Sequence, residues 1–87
     1  MMNNLESMTI YQQCQYFAEE SFKYSDYESQ LFDRLCYLLQ NPFETDEFEV
    51  IKINSFIESL KDEGDNLKAT VVEKALKEIK ERGNYDV

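Results

Sequence analysis

Only three of the 87 residues are glycine or proline: Pro42, Gly64 and Gly83. A fold of many short strands needs turn residues every few positions, so a chain this rarely interrupted favours long helices. The periodicity of the apolar residues agrees. From about Thr9 to Lys23, the residues Ile10, Cys14, Phe17, Ala18 and Phe22 fall on one stripe of a helix. Thr9 with Gln12 fits a capping box, in which each side chain bonds the other residue's free backbone N–H.

A second helix is expected from about Ser25 to Gln40. Ser25 with Glu28 fits another capping box, and Leu31, Leu35, Leu38 and Leu39 make the stripe, bordered by Cys36. Asn41-Pro42 ends it, because proline disfavours helical geometry in the residue before it. In a third segment, Thr45 serves as N-cap to a first turn holding Asp46, Glu47 and Glu49, acids that suit the positive end of a helix. Val50, Ile53, Phe56, Ile57 and Leu60 then line one face. The run FEVIKI from Phe48 to Ile53 is also rich in β-branched residues, and Ser55 with Glu58 forms a capping box of its own. A short strand followed by a helix from Ser55 is therefore the alternative, weakened by the lack of a second strand to pair with it. The fourth helix runs from about Asn66 to Arg82 after the turn Glu63–Asn66. Val72, Ala75, Leu76 and Ile79 face inward, and Gly83 provides the stop. Glu73/Lys77, Lys74/Glu78 and Glu78/Arg82 are spaced as i,i+4 pairs.

Four amphipathic segments with short connections predict an all-α fold, a small antiparallel bundle of about four helices. Residues 1–87 read as a single helical domain, with residues 1–8 as a frayed N-terminal segment. The alternative fold is α+β, with one short strand near Phe48–Ile53. Hydrophobic residues make up 43% and aromatics 14%, too apolar for a disordered chain despite a net charge of −9.

That charge is uneven. Residues 1–65 carry fourteen acids and four bases, while residues 66–87 carry four acids and five bases. Such a field repels nucleic acid and attracts basic protein surfaces. No stretch approaches the ~18 apolar residues of a membrane span. The N-terminus lacks the basic and apolar regions of a signal peptide. The expected compartment is cytoplasmic, where Cys14 and Cys36 stay reduced.

Much chemistry is excluded by what the chain lacks. There is no histidine, which removes the commonest general base, the Ser-His and Cys-His nucleophile pairs and the usual zinc ligand. No glycine-rich phosphate loop is present. Cys14 and Cys36 are too few and too far apart in sequence for a zinc site; they read as a redox pair joining the first two helices, or as two small core residues. Asp62–Asn66 is too short for a calcium loop, and Glu19-Glu20 lacks the Glu-x-x-His companion of a di-metal bundle. No enzyme activity, metal or cofactor is expected.

Recognition remains. Four acids fall within Glu44–Glu49, beside Phe43 and Phe48. Phe43, Glu44, Asp46, Glu47 and Glu49 are candidate partner-binding residues, with the aromatics as anchors and the acids as steering charges. On the plainer reading the acids only serve the helix dipole, while Phe43 and Phe48 close the core. A second cluster, Tyr24, Asp26, Tyr27 and Glu28, lies between the first two helices; tyrosines are favoured interface residues. In an antiparallel bundle these clusters sit at opposite ends, so one partner touching both must lie along a lateral face.

The expected function is that of a small acidic inhibitor covering a basic surface of a nuclease or other nucleic-acid enzyme, with carboxylates standing in for phosphates. In size, charge and helicity the chain is similar to nuclease immunity proteins, antitoxins and phage-encoded inhibitors of host nucleic-acid enzymes. The adjacent Tyr-Tyr pair before proline, carried by immunity proteins of nuclease colicins, is absent; Tyr24 and Tyr27 stand apart. The alternative is a regulatory adaptor or homodimer using an apolar strip of Tyr11, Tyr16, Phe32 and Tyr37. Direct nucleic-acid binding through Lys68, Lys74, Lys77, Lys80 and Arg82 is disfavoured by the neighbouring Glu73, Glu78 and Glu81.

Overall fold

The computed structural model describes residues 7–83. They form four helices in sequence: α1 (Ile10–Ser21), α2 (Asp26–Gln40), α3 (Glu47–Asp62) and α4 (Asn66–Arg82), with a 3-10 turn at Pro42–Glu44. No strand occurs among the described residues. The fold is the all-α bundle that the breaks and stripes predict. The frayed segment read at residues 1–8 lies outside the described residues up to position 6. Met8 is held: its carbonyl accepts from the Gln13 side-chain amide at 3.1 Å.

The connections alternate between the ends of the bundle. Lys68, in the first turn of α4, reaches Tyr24 and Glu28 at the α1–α2 connection. Gly83, just past α4, lies against the Pro42 carbonyl in the α2–α3 connection. Successive helices therefore run antiparallel. The α1–α2 pairing is the most extensive; α3 packs on α4, and α4 also packs on α1 and α2. Direct approach of α2 to α3 is sparse. The core contains all four stripes: Cys14, Phe17 and Ala18 from α1, the leucines of α2, the predicted face of α3, and Val72, Ala75, Leu76 and Ile79 of α4. Three rings run through it, Phe17 to Phe32 at 5.5 Å and Phe32 to Phe56 at 5.4 Å between centroids. Ring pairs at this spacing add to area burial.

Local details correct several expectations. Thr9 and Gln12 form both halves of their capping box. At α2 only half forms: the Ser25 hydroxyl accepts from the Glu28 N–H at 3.2 Å. The Glu28 carboxylate turns instead to Lys68, and the Ser25 N–H donates to the Ser21 carbonyl. Phe22 does not continue the α1 stripe. The helix ends at Ser21, and Phe22 projects outward as its C-cap.

The strand alternative at Phe48–Ile53 fails, because α3 is continuous through it. The N-cap is Asp46 rather than Thr45, its carboxylate accepting from the Glu49 N–H at 2.8 Å. Thr45 is buried, and its hydroxyl has no hydrogen-bond partner among the described residues. Gly83 has φ −88°, so the left-handed conformation is not its reason. A Cβ there would stand 2.8 Å from the Pro42 carbonyl oxygen, and only glycine admits that approach. Gly64 supplies the left-handed turn, at φ +82°.

In the proposed apolar strip, Phe32 is fully buried, and Tyr11 and Tyr16 pack against the core. Of the four only Tyr37 is largely exposed, and Tyr11 and Tyr16 are half-buried, so they do not form one exposed strip. Lys68 likewise leaves the basic face of α4, being only 8% exposed.

Candidate protein-binding corner

Asn41 caps α2 and donates its side-chain amide to the Tyr37 carbonyl at 3.0 Å. Pro42 then starts the 3-10 turn, its fixed φ suiting the first position. The Thr45 N–H closes the turn onto the Pro42 carbonyl at 3.2 Å. A tight turn spreads its side chains, sending Thr45 inward and Phe43 outward. Phe43 is 76% exposed, and Phe48, in the first turn of α3, is 71% exposed. Ile51, one turn beyond Phe48, is exposed as well. The reading in which Phe43 and Phe48 close the core is thereby removed.

The acids divide by role. Arg34 of α2 holds Glu49 in a two-pronged contact, at 3.1 and 3.0 Å. This fork is the stronger form of ion pair, and hydrogen bonding to Glu49 raises the Arg34 pKa. The Arg34 guanidinium also lies 5.1 Å from the Tyr37 ring centroid. The Tyr37 hydroxyl donates to Glu44 at 2.7 Å, and that bond to a carboxylate raises the tyrosine's pKa. Glu44, Tyr37, Arg34 and Glu49 thus form one polar chain across α2, the turn and the start of α3. Asp46 is the cap. Glu47 makes no hydrogen bond or ion pair with any described residue and projects into solvent. Three of the four acids therefore build the corner, and the fourth adds only field.

The second cluster separates. Lys68 engages Tyr24 and Glu28: its ammonium donates to the Tyr24 hydroxyl and to Glu28 at 3.1 Å, although the Tyr24 ring stays exposed. It also stands 3.6 Å from Asp65, 4.8 Å from the Tyr24 ring centroid and 5.9 Å from that of Phe17. Burial disfavours the charged lysine, but the bonds to Tyr24 and Glu28 outweigh it and raise its pKa. Asp26 and Tyr27 stay exposed. Tyr27 lines a shallow groove between α2 and α3 with Gln30, Leu31, Arg34, Glu49 and Lys52. The structure therefore brings Tyr27 and Glu49, read at opposite ends, onto one lateral groove. It leaves Tyr24 and Glu28 with Lys68.

Lys68 escaped the sequence reading, although the signal was present. It shares a helical stripe with Val72, Ala75 and Ile79, so periodicity placed a cation in the core. The Arg34–Glu49 contact had no such signal, because interhelical register is not written in either segment alone.

Among the described residues, no group of three or more potential ligands is arranged to hold a metal ion. No described helix is long and apolar enough to cross a membrane. No protein-family model matches the chain, and no curated protein or solved structure matches it either.

Proposed function

We propose that this protein acts by binding rather than by catalysis, as an acidic inhibitor that docks its α2–α3 corner on the basic surface of a nucleic-acid enzyme. The carrying observation is the exposure of Phe43 and Phe48 on a strongly acidic chain, on a corner made rigid by the Arg34–Glu49 and Tyr37–Glu44 contacts. Large rings held out of the core supply anchoring area. The net charge of −9 supplies long-range attraction. Tyr27, on the groove beside Glu49, extends the same face laterally. Inhibition follows if the covered surface is the one that binds nucleic-acid phosphates.

The test is affinity capture from a lysate of the source cell, or of its host, with elution by a salt gradient. The reading expects a basic nucleic-acid enzyme released at moderate salt, whose activity falls on titration with the protein. A partner that resists high salt and keeps full activity when saturated would overturn it.

A second reading, a homodimer or regulatory adaptor using an apolar helix face, is favoured by one observation. Phe48 and Ile51 are exposed one turn apart on α3. Self-association would place two acidic copies together, and sedimentation across protein concentrations separates the two readings.

A further inference from the structure

We propose that Cys14 and Cys36 form a dithiol that peroxide closes into an intramolecular disulfide, stapling α1 to α2. Both are free thiols in the core, on the two helices that pair most extensively. Cys36 is 7% exposed and Cys14 is fully enclosed. The Cys36 thiol donates to the Tyr11 carbonyl of α1 at 3.8 Å, and Cys14 follows Tyr11 by one turn. The Cys36 thiol is thereby brought to the turn of α1 that carries Cys14. A hydrogen bond from Cys14 raises the Cys14 pKa, with burial adding to it, and holds Cys36 below its ordinary value. Thiols on two closely paired helices need only lose their protons and close to the roughly 2.05 Å of a disulfide.

The asymmetry orders the steps. Cys36 is the less enclosed sulfur, so it meets oxidant first. Its thiolate attacks one oxygen of hydrogen peroxide, giving a sulfenic acid and releasing hydroxide. The Cys14 sulfur then attacks Cys36 Sγ. The sulfenic oxygen leaves with the Cys14 proton as water, and the S–S bond forms. Two electrons have passed from the thiols to peroxide. Enclosure of Cys14 keeps it from a second chain, so the product is intramolecular. The closed loop contains the α1–α2 connection, residues 22–25. Nearby carboxylates of Glu78 and Asp33 disfavour thiolate, which makes closure slow compared with an exposed redox pair. This inference does not depend on the binding function.

The experiment treats the folded full chain with hydrogen peroxide, quenches it, denatures it, alkylates free thiols and measures intact mass. The expected product has lost two hydrogens, takes up no alkyl groups and runs as a monomer without reductant. Its thermal midpoint rises, and dithiothreitol reverses the rise. Two alkylated thiols, disulfide-linked dimers, or oxygen added at a single cysteine would each overturn the proposal. Cys14→Ala is expected to leave a sulfenic acid at Cys36 that dimedone traps, and Cys36→Ala to leave Cys14 unoxidised. Should either variant fail to fold, the wild-type mass decides.

Discussion

Replacing Lys68 by methionine tests the energetics of the bundle at a buried charged position. Methionine keeps the long apolar stem that packs among Phe17 and the neighbouring helices, and removes the ammonium. The Lys68 and Glu28 side chains are 10% and 14% exposed, so the variant strands a carboxylate largely withdrawn from water. Ser21 Oγ, 3.4 Å from Glu28, offers weak compensation. Breaking a buried pair by deleting one partner costs roughly 3–5 kcal/mol, and the residual exposure places this case near ~3 kcal/mol. For a chain of this size that lowers the thermal midpoint by roughly 12–24 °C. Adding Glu28→Gln removes the stranded charge while keeping an acceptor for Ser21. The double variant should recover to within ~1 kcal/mol of wild type, a coupling of about 2 kcal/mol. Chemical denaturation followed by far-UV circular dichroism on all four proteins closes the cycle. A Lys68→Met protein within ~0.5 kcal/mol of wild type, or two substitutions that simply add, would refute the reasoning.

Three further outcomes follow from the same geometry. Thr45→Val removes a buried hydroxyl that has no partner among the described residues, at an extended backbone position that valine accepts; denaturation should show a gain of about 1 kcal/mol. Gly83→Ala sets a methyl group 2.8 Å from the Pro42 carbonyl oxygen and should cost about 1–3 kcal/mol by the same measurement, as overpacking does. The Lys68 pKa is raised on folding above its ordinary 10.5. Its pairing therefore contributes fully below that pH and is lost as pH climbs through the folded value. The stability gap between wild type and Lys68→Met should hold steady through neutral and mildly alkaline pH and narrow only above 10.5.

The parts of the fold that follow local rules were legible. The inward face of α3 matches its apolar stripe residue for residue, and the four residues expected inside on α4 are all buried, joined there by Lys68, Ala69 and Val71; a 3.6-residue period leaves little choice about which side is buried. Helix ends were less so. Thr45 and Asp46 are adjacent capping candidates, and burial of Thr45 decided between them. Phe22 fitted the α1 stripe, but the chain had to turn before the Ser25 cap. Lys68 was misread because charge outweighed position, although its stripe pointed inward. The corner's aromatics were readable either as core or as surface. Their exposure depends on how α3 meets the 3-10 turn, a tertiary fact. Arg34–Glu49 and Tyr37–Glu44, which consume two of the suspected docking acids, are tertiary for the same reason.

The corner itself is tested most directly by capturing partners in parallel on wild type, Phe43→Ser/Phe48→Ser and Glu47→Gln. All three should unfold within ~0.5 kcal/mol of one another, since these side chains are exposed. The account predicts that the double aromatic variant loses the partner at any salt concentration. Glu47→Gln should keep it but release it earlier in the gradient. Capture of the same partner in equal amount by the aromatic variant would contradict the assignment of this corner as the binding surface.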